Sequence, residues 1–131
     1  MTEIDIQITA PMRSPLVSKP WGSEEHFAVT EHYVGKILRV KAGHCLSLQY
    51  HEEKDETIAL IYGQGFIYVG PDPEHLTRYA LRQGENIRIR PGVVHRVEAL
   101  LDAVLLEAST TQLDDVVRLT DNYGREGTSA P

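Results

Sequence analysis

Four side chains combine residue types and spacing that could bind a metal ion. Gln49, His51 and Glu56 fall within GHCLSLQYHEEKDETIALIYG, which runs from Gly43 to Gly63, and His95 falls in PGVVHR further along. Residues two apart on an extended strand project to the same side, so Gln49 and His51 can share one ion. Glu56 follows the charged EEKD turn and is expected on the neighbouring antiparallel strand, with His95 closing the set from across a barrel. One amide oxygen, one carboxylate and two imidazoles make a borderline N/O donor set. Such a set suits a single divalent ion, with Zn²⁺ the first choice and Mn²⁺, Fe²⁺, Co²⁺ or Ni²⁺ the alternatives. No thiolate joins the four, which argues against a closed structural zinc and leaves positions open to water or substrate. Gln49 is the weakest donor of the set, an amide that could instead hydrogen-bond a bound water.

The elements that must position these groups read as short strands. Alternation from His44 to His51 places Leu46 and Leu48 on one face and Cys45, Ser47, Gln49 and His51 on the other. Upstream, a short strand around His26 to Val29 precedes a stronger one from Tyr33 to Lys41, on which Lys36, Leu38 and Val40 share a face. ETIALIYGQGFIYVG reads as a hairpin of two apolar strands joined at Gly63-Gln64-Gly65. Further strands follow around Thr77 to Arg82 and in NIRIR, VVHRVEAL and AVLLEAST, giving eight or nine in all and no competing amphipathic helix. Even spacing of turn signals predicts an all-β sandwich or barrel. Alternating Ile4, Ile6 and Ile8 suggest an edge or partner-crossing strand in an arm over residues 1–16, ahead of a barrel domain over 17–125. A short helical or extended cover is expected from Leu113 to Leu119. The closing GREGTSAP is expected to be disordered, with residues 126–131 as a tail.

Composition narrows the function classes. The 131 residues fit one domain with one core, and 13 Lys and Arg against 19 Asp and Glu give a net charge of −6. That balance lacks the basic footprint needed for nucleic-acid or anionic-membrane binding, so an anionic ligand would need local cations. The apolar runs are too short for a bilayer core of about 30 Å. The single Cys45 and the lack of a basic, apolar leader point to a reducing, cytoplasmic setting.

The central stretch, with Gly43, Gln49, His51, Glu56 and Gly63 in that spacing, is similar to the first cupin motif. Gly84, Pro91-Gly92 and His95 are similar to the second. The resemblance implies a cupin double-stranded β-helix, a jelly-roll barrel that carries its metal inside the mouth. LSLQYH, together with KPWG at Lys19 to Gly22, PGVVHR, and DDVVRLTDNYGR at Asp114 to Arg125, resembles more closely the cupin of type II mannose-6-phosphate isomerases. In bifunctional members of that family the cupin sits behind a nucleotidyltransferase domain. The resemblance covers residues 17–125 and implies Gln49, His51, Glu56 and His95 as metal ligands. It also implies a homodimer and aldose–ketose isomerisation of a phosphosugar through an enediol. The family reads HxHRxEHW around the carboxylate ligand, whereas Glu53, Lys54, Thr57 and Ile58 stand here in place of its second His, Arg, last His and Trp. Lys54 keeps a cation and loses the bidentate fork of Arg.

Around the ligands, Lys36 and Arg96 are the candidate catalytic side chains, while Ser47, Lys54 and Tyr62 are candidates for substrate binding. Lys36 could equally be a snorkelling rim lysine, and strict alternation after His95 points Arg96 away from the cavity. Cys45 is read as a small buried hydrophobe on the inward face, and Trp21 as a plug of the barrel or of a dimer seam. Arg88 and Arg90 read as a solvated face. His26, His32, His44 and His75 receive no role. The leading functional reading is a metal-dependent sugar-phosphate isomerase. A non-catalytic cupin binding a sugar or small metabolite is the alternative. An Fe²⁺ dioxygenase is disfavoured because Gln stands where a His is expected.

Overall fold

The computed structural model describes residues 6–128, and every regular element among them is a strand. In chain order these are β1 Leu16–Lys19, β2 Gly22–Val29, β3 Val34–Val40, β4 Leu48–Tyr50, β5 Glu56–Tyr62, β6 Gly65–Gly70, β7 Thr77–Leu81, β8 Asn86–Ile89, β9 Val94–Ala99, β10 Ala103–Ser109 and β11 Val117–Thr120. They form two antiparallel sheets, one ordered β1-β2-β3-β10-β5-β8 and the other β11-β4-β9-β6-β7. The architecture is the all-β, jelly-roll barrel expected of a cupin. No helix among the described residues is long and apolar enough to cross a membrane.

The sheets pack through their apolar faces. Leu38, Val40, Ile58, Leu60, Ile89 and Leu105 from the first sheet meet Ile67, Leu81, Val97 and Ala99 from the second, all buried. Trp21 joins this cluster at 3% exposure, as a barrel plug should. The pattern of alternate burial on β3, β5 and β10 is that of strands with one face on a core and one toward solvent.

Three features depart from simple alternation. First, β5 and β6 do not form a hairpin. β5 lies between β10 and β8, and β6 lies between β9 and β7 in the opposite sheet. Gly63-Gln64 is therefore a crossing between sheets. Gly63 takes φ +98° there, and a Cβ would lie 2.2 Å from the Asp102 carbonyl oxygen.

Second, Cys45 pairs with Glu98 while Gln49 pairs with His95. Four steps along one strand thus face three along the other, which is a bulge. Parity flips across it. Cys45 is buried as expected, but its Sγ lies 3.7 Å from a Glu98 carboxylate oxygen rather than on the cavity wall, which Leu46 and Ser47 both reach.

Third, the termini differ from expectation. Ile6 and Ile8 are 81% and 90% exposed and lie in no strand, and Ile4 falls outside the described residues. Pro11 and Pro15 interrupt the row of backbone donors that a sheet edge would need in this segment. At the other end the extended alternative holds over Leu113 to Leu119: no helix forms, and β11 pairs with β4 after an irregular cover. Gly124 to Thr128 form a bonded turn that buries Arg125, while residues 129–131 lie outside the described part.

Replacing Gly63 with Ala tests the sheet crossing. The left-handed backbone and the contact with Asp102 together should cost about 1–3 kcal/mol. Urea unfolding at neutral pH should show a lower midpoint with an unchanged slope, and an unshifted midpoint would mean that the crossing can move.

Candidate metal centre

His51, Glu56 and His95 each offer a ligand atom within 4.8 Å of the others, and all three are buried. The register explains how they meet. β4 and β9 are adjacent with Gln49 opposite His95, so His95 comes from the strand next to Gln49 rather than from across the barrel. Glu56 opens β5 in the opposite sheet and is the group that crosses the interior. The expected neighbours were thus interchanged, because residues 51–55 carry the chain from one sheet to the other.

The protonation of both imidazoles is set from behind. His51 Nδ1 donates to the Asp115 carbonyl oxygen at 2.5 Å, and His95 Nδ1 donates to the Val93 carbonyl oxygen at 2.9 Å. Each Nε2 then presents a lone pair inward. Glu56 Oε1 lies 3.2 Å from His51 Nε2 and 3.1 Å from His95 Nε2. Three electron-rich atoms converging in this way repel one another unless a proton or a cation lies among them. Donors held about 2.0–2.2 Å from one ion at angles near 90–109° lie roughly 3 Å apart, so the set fits a divalent metal. Burial alone would raise the Glu56 pKa, but hydrogen bonding to the two imidazoles, which requires a proton on Nε2, and the Lys54 ammonium hold it well below the ordinary carboxylate range, and a cation at the cluster would take the place of those protons. The ligand is therefore ionised at neutral pH.

Beside the cluster is a cavity of about 280 Å³ whose lining includes His51, Ser47 and Gln49. Ser47 donates to Gln49 Oε1 at 2.6 Å, so that amide oxygen is already engaged by a hydroxyl beside the cluster. Lys54 lines the same space, with Nζ 3.2 Å from Glu56 Oε2 and 3.2 Å from Glu107 Oε2. Burial first, and then the Glu56 charge, push the Glu107 carboxyl up to about 8. It therefore keeps a proton at neutral pH while Lys54 stays charged. Lys36 also faces the cavity, and its Nζ is 2.7 Å from Glu24 Oε1. Burial would raise the Glu24 pKa, but Lys36 and Lys19 outweigh it and lower the value to about 2.

Two expected site residues stand elsewhere. Arg96 follows the alternation and points outward, where Nε donates to the Leu46 carbonyl at 2.9 Å and the guanidinium reaches Thr120. It pins the bulged strand and is absent from the cavity wall. Tyr62 is 63% exposed at the far end of β5, beside Gly63 and Asp102. The two residues after the Glu56–Leu60 core face have left the interior as the chain turns toward the other sheet.

Several cavity residues escaped the sequence reading. Glu24 and His26 of β2 register against Leu38 and Lys36 of β3, and Glu107 of β10 registers against Lys36, so all lie on the inward face. A lone Glu alternating with Ala103 and Leu105 was the available signal for Glu107. Asp115 is less visible still. Its carboxylate accepts the backbone N–H groups of Glu52, Glu53 and Lys54 at 3.0, 2.7 and 2.8 Å, while its carbonyl orients His51. Lys19, Arg118 and Arg125 complete the wall.

The sequence model of the family described as mannose-6-phosphate isomerase C-terminal matches residues 11–121. Mannose-1-phosphate guanylyltransferase of Escherichia coli K12 is 31% identical over 114 residues, which cover 83% of this chain and 23% of that protein. Xanthan biosynthesis protein XanB of Xanthomonas campestris pv. campestris is 30% identical, with the same coverages of 83% and 23%. The chain thus spans about a quarter of the length of these relatives. Among solved structures, the capsular polysaccharide assembling protein CapF from Staphylococcus aureus superposes with TM-score 0.76 at 19% identity, covering 85% of this chain and 33% of that one. Oxalate decarboxylase from Bacillus subtilis gives TM-score 0.73 at 17% identity, covering 88% and 34%. These two likenesses show the fold alone.

Two outcomes are expected. Asp115→Ala should weaken Zn²⁺ binding about 10–100-fold by releasing the segment that orients His51, read by calorimetric titration; unchanged affinity would exclude a positioning role. The second concerns pH in chelator-treated protein. The folded state keeps on Glu107 a proton that the unfolded chain loses near 4.5, so that contribution to stability is full below 4.5 and is lost as pH rises through about 8. Glu107→Gln should therefore gain in melting temperature relative to wild type between pH 5 and pH 8, and an unchanged difference would place the proton elsewhere.

Proposed function

Because this chain belongs to the mannose-6-phosphate isomerase C-terminal family, we propose that it is a metal-dependent isomerase interconverting the aldose and ketose forms of a sugar phosphate, mannose 6-phosphate first among them. The observation that carries the reading is the convergence of His51 Nε2, His95 Nε2 and Glu56 Oε1 beside a polar cavity that His51 lines. A volume of about 280 Å³ suits a monosaccharide better than a larger ligand. Relatives named for mannose 1-phosphate chemistry support a sugar phosphate as the ligand class.

In this reading His51, Glu56 and His95 hold the metal, with Gln49 as a fourth donor or as the partner of a bound water. A bound divalent ion supplies Lewis-acid polarisation of neighbouring sugar oxygens. The chain's own groups do the rest. Ser47 and Gln49 present a hydroxyl and an amide to sugar hydroxyls. Glu107, protonated at neutral pH, is the cavity group able to give a proton, and Lys36, held by Glu24, lies opposite it in the sheet register. Enediol formation needs such a group because the proton must leave one carbon and arrive at its neighbour.

One observation favours a second reading, in which the protein binds a sugar without converting it. Lys54 stands where the family carries Arg, and its ammonium is spent between Glu56 and Glu107. A coupled assay on the Zn²⁺- or Mn²⁺-loaded chain separates the two. Conversion of mannose 6-phosphate to fructose 6-phosphate, abolished in His95→Ala, is the expected result. Saturable binding of mannose 6-phosphate with no turnover would replace the isomerase with the binding protein, and neither binding nor turnover would remove both.

A further inference from the structure

Part of the cavity wall is built from the last strand and the turn after it, and its charges do not balance. Arg118 of β11 registers against Gln49 of β4, which turns its side chain inward. It is buried, at 7% exposure, and one terminal nitrogen donates to the Thr128 carbonyl at 2.8 Å. Its Nε has no hydrogen-bond partner among the described residues, and no carboxylate there lies within ion-pair distance of it. Asp121 and Glu24 act on it at longer range, but a buried guanidinium with no carboxylate in direct contact among the described residues is costly, so the position suits an anion.

Its neighbours deepen the imbalance. Arg125 is held as a fork by Asp121, with Nε 2.8 Å and a terminal nitrogen 2.9 Å from the two carboxylate oxygens. Lys19 reaches only the edge of Glu24 at 3.6 Å, and that carboxylate already serves Lys36 at 2.7 Å. Lys19, Lys36, Arg118 and Arg125 therefore share two carboxylates, Glu24 and Asp121. Burial and the neighbouring Arg125 both push the Arg118 pKa down, and burial with Arg118, Lys36 and Arg125 outweighs Glu24 at Lys19. The other acids on the wall do not restore the balance. Asp115 is consumed by three backbone N–H groups, Glu107 faces Lys54, and Asp114 is exposed.

We propose that Arg118, flanked by Lys19 and Arg125, is the binding site for a phosphate-monoester dianion, so that a phosphosugar lies with its phosphate under β11 and its sugar toward His51. An excess of two positive charges matches a phosphate monoester, which carries about −1.5 to −2 at neutral pH. Arg118 offers its free Nε as a directional donor, and Lys19 adds a mobile point charge. The sugar half of this inference rests on the proposed function; the phosphate half rests on Arg118 itself. It also relieves Lys54 and Lys36 of that role, since each already has its carboxylate.

The test measures equilibrium binding on the full, Zn²⁺-loaded chain, using mannose 6-phosphate, mannose and inorganic phosphate as probes. Arg118→Gln should weaken mannose 6-phosphate and inorganic phosphate by about tenfold or more and leave mannose unchanged. Lys19→Met should act in the same direction to a smaller extent, and Arg118→Lys should recover part of the loss. If Arg118→Gln fails to fold, as judged by circular dichroism, Lys19→Met and Arg118→Lys carry the comparison alone. Equal phosphate affinity in folded variants and wild type, or an equal loss for mannose and mannose 6-phosphate, overturns the proposal. Phosphate binding that depends on Arg118 without any isomerisation would sink the isomerase and leave this site standing. Isomerisation with phosphate binding indifferent to Arg118 would do the reverse.

Discussion

An ionised carboxylate inside a barrel, at 2% exposure, is the constraint around which this molecule is arranged. Glu56 cannot be left there unpaired, because the desolvation cost of an isolated buried charge exceeds the net stability of a domain of this size. The chain surrounds it with two imidazoles at 3.1–3.2 Å and an ammonium at 3.2 Å. The imidazole atoms that face it are lone pairs as long as both Nδ1 protons remain on backbone carbonyls. Attraction at Glu56 is therefore incomplete in the protein alone, and a divalent cation completes it without rearranging a single donor. That is the sense in which the site is preorganised: Val93 and Asp115 have already fixed both rings.

The Glu56 requirement reaches the C-terminal segment through Asp115. One residue both orients His51 through its carbonyl and ties down residues 52–54 through its carboxylate, so the loop carrying the chain between the sheets cannot shift without moving a ligand. The same segment continues into β11, whose register against β4 aims Arg118 into the cavity. Metal cluster and cation wall are thus mechanically linked through the short run of chain from Asp115 to Arg118. A ligand that contacted both would be gripped between the two sheets at one end and the terminal strap at the other.

What could be read from the sequence and what could not divide along physical lines. His51, Glu56 and His95 were legible because metal-binding types at strand spacing are rare on inward faces, and Lys36 because it alternates with Leu38 and Val40. The bulge between Cys45 and Gln49 was invisible. It adds a residue without any Gly or Pro to mark it, and it takes Cys45 off the cavity wall while leaving Gln49 and His51 in place. The β5–β6 hairpin failed for a related reason: two apolar strands joined by Gly-Gln-Gly look the same whether the turn closes a hairpin or crosses between sheets. Only the partners of each edge, β10 and β8 for one and β9 and β7 for the other, tell them apart, and those partners lie far along the chain. Glu24, Glu107 and Arg118 share that limitation, since each owes its inward position to a neighbour 12 or more residues away or to the docking of the tail.

The substitution at Lys54 gains its meaning from these long-range partners. Read locally, a lysine in place of an arginine is a weakened anion contact. In the barrel its Nζ spans Glu56 and Glu107, burial is outweighed by their charges, and its pKa rises to a value at which deprotonation is out of reach. Its charge is consumed internally, in holding one carboxylate ionised beside the proposed metal and sharing its other side with a carboxyl that keeps its proton. A cation used in that way has little left for a ligand, whatever its family counterpart does. Anion recognition must then fall to cations whose charge is not already matched, and in the cavity lining those are the ones gathered by β11 and its turn. Loss of the fork at Lys54 and an unmatched guanidinium at Arg118 are two sides of the same charge distribution.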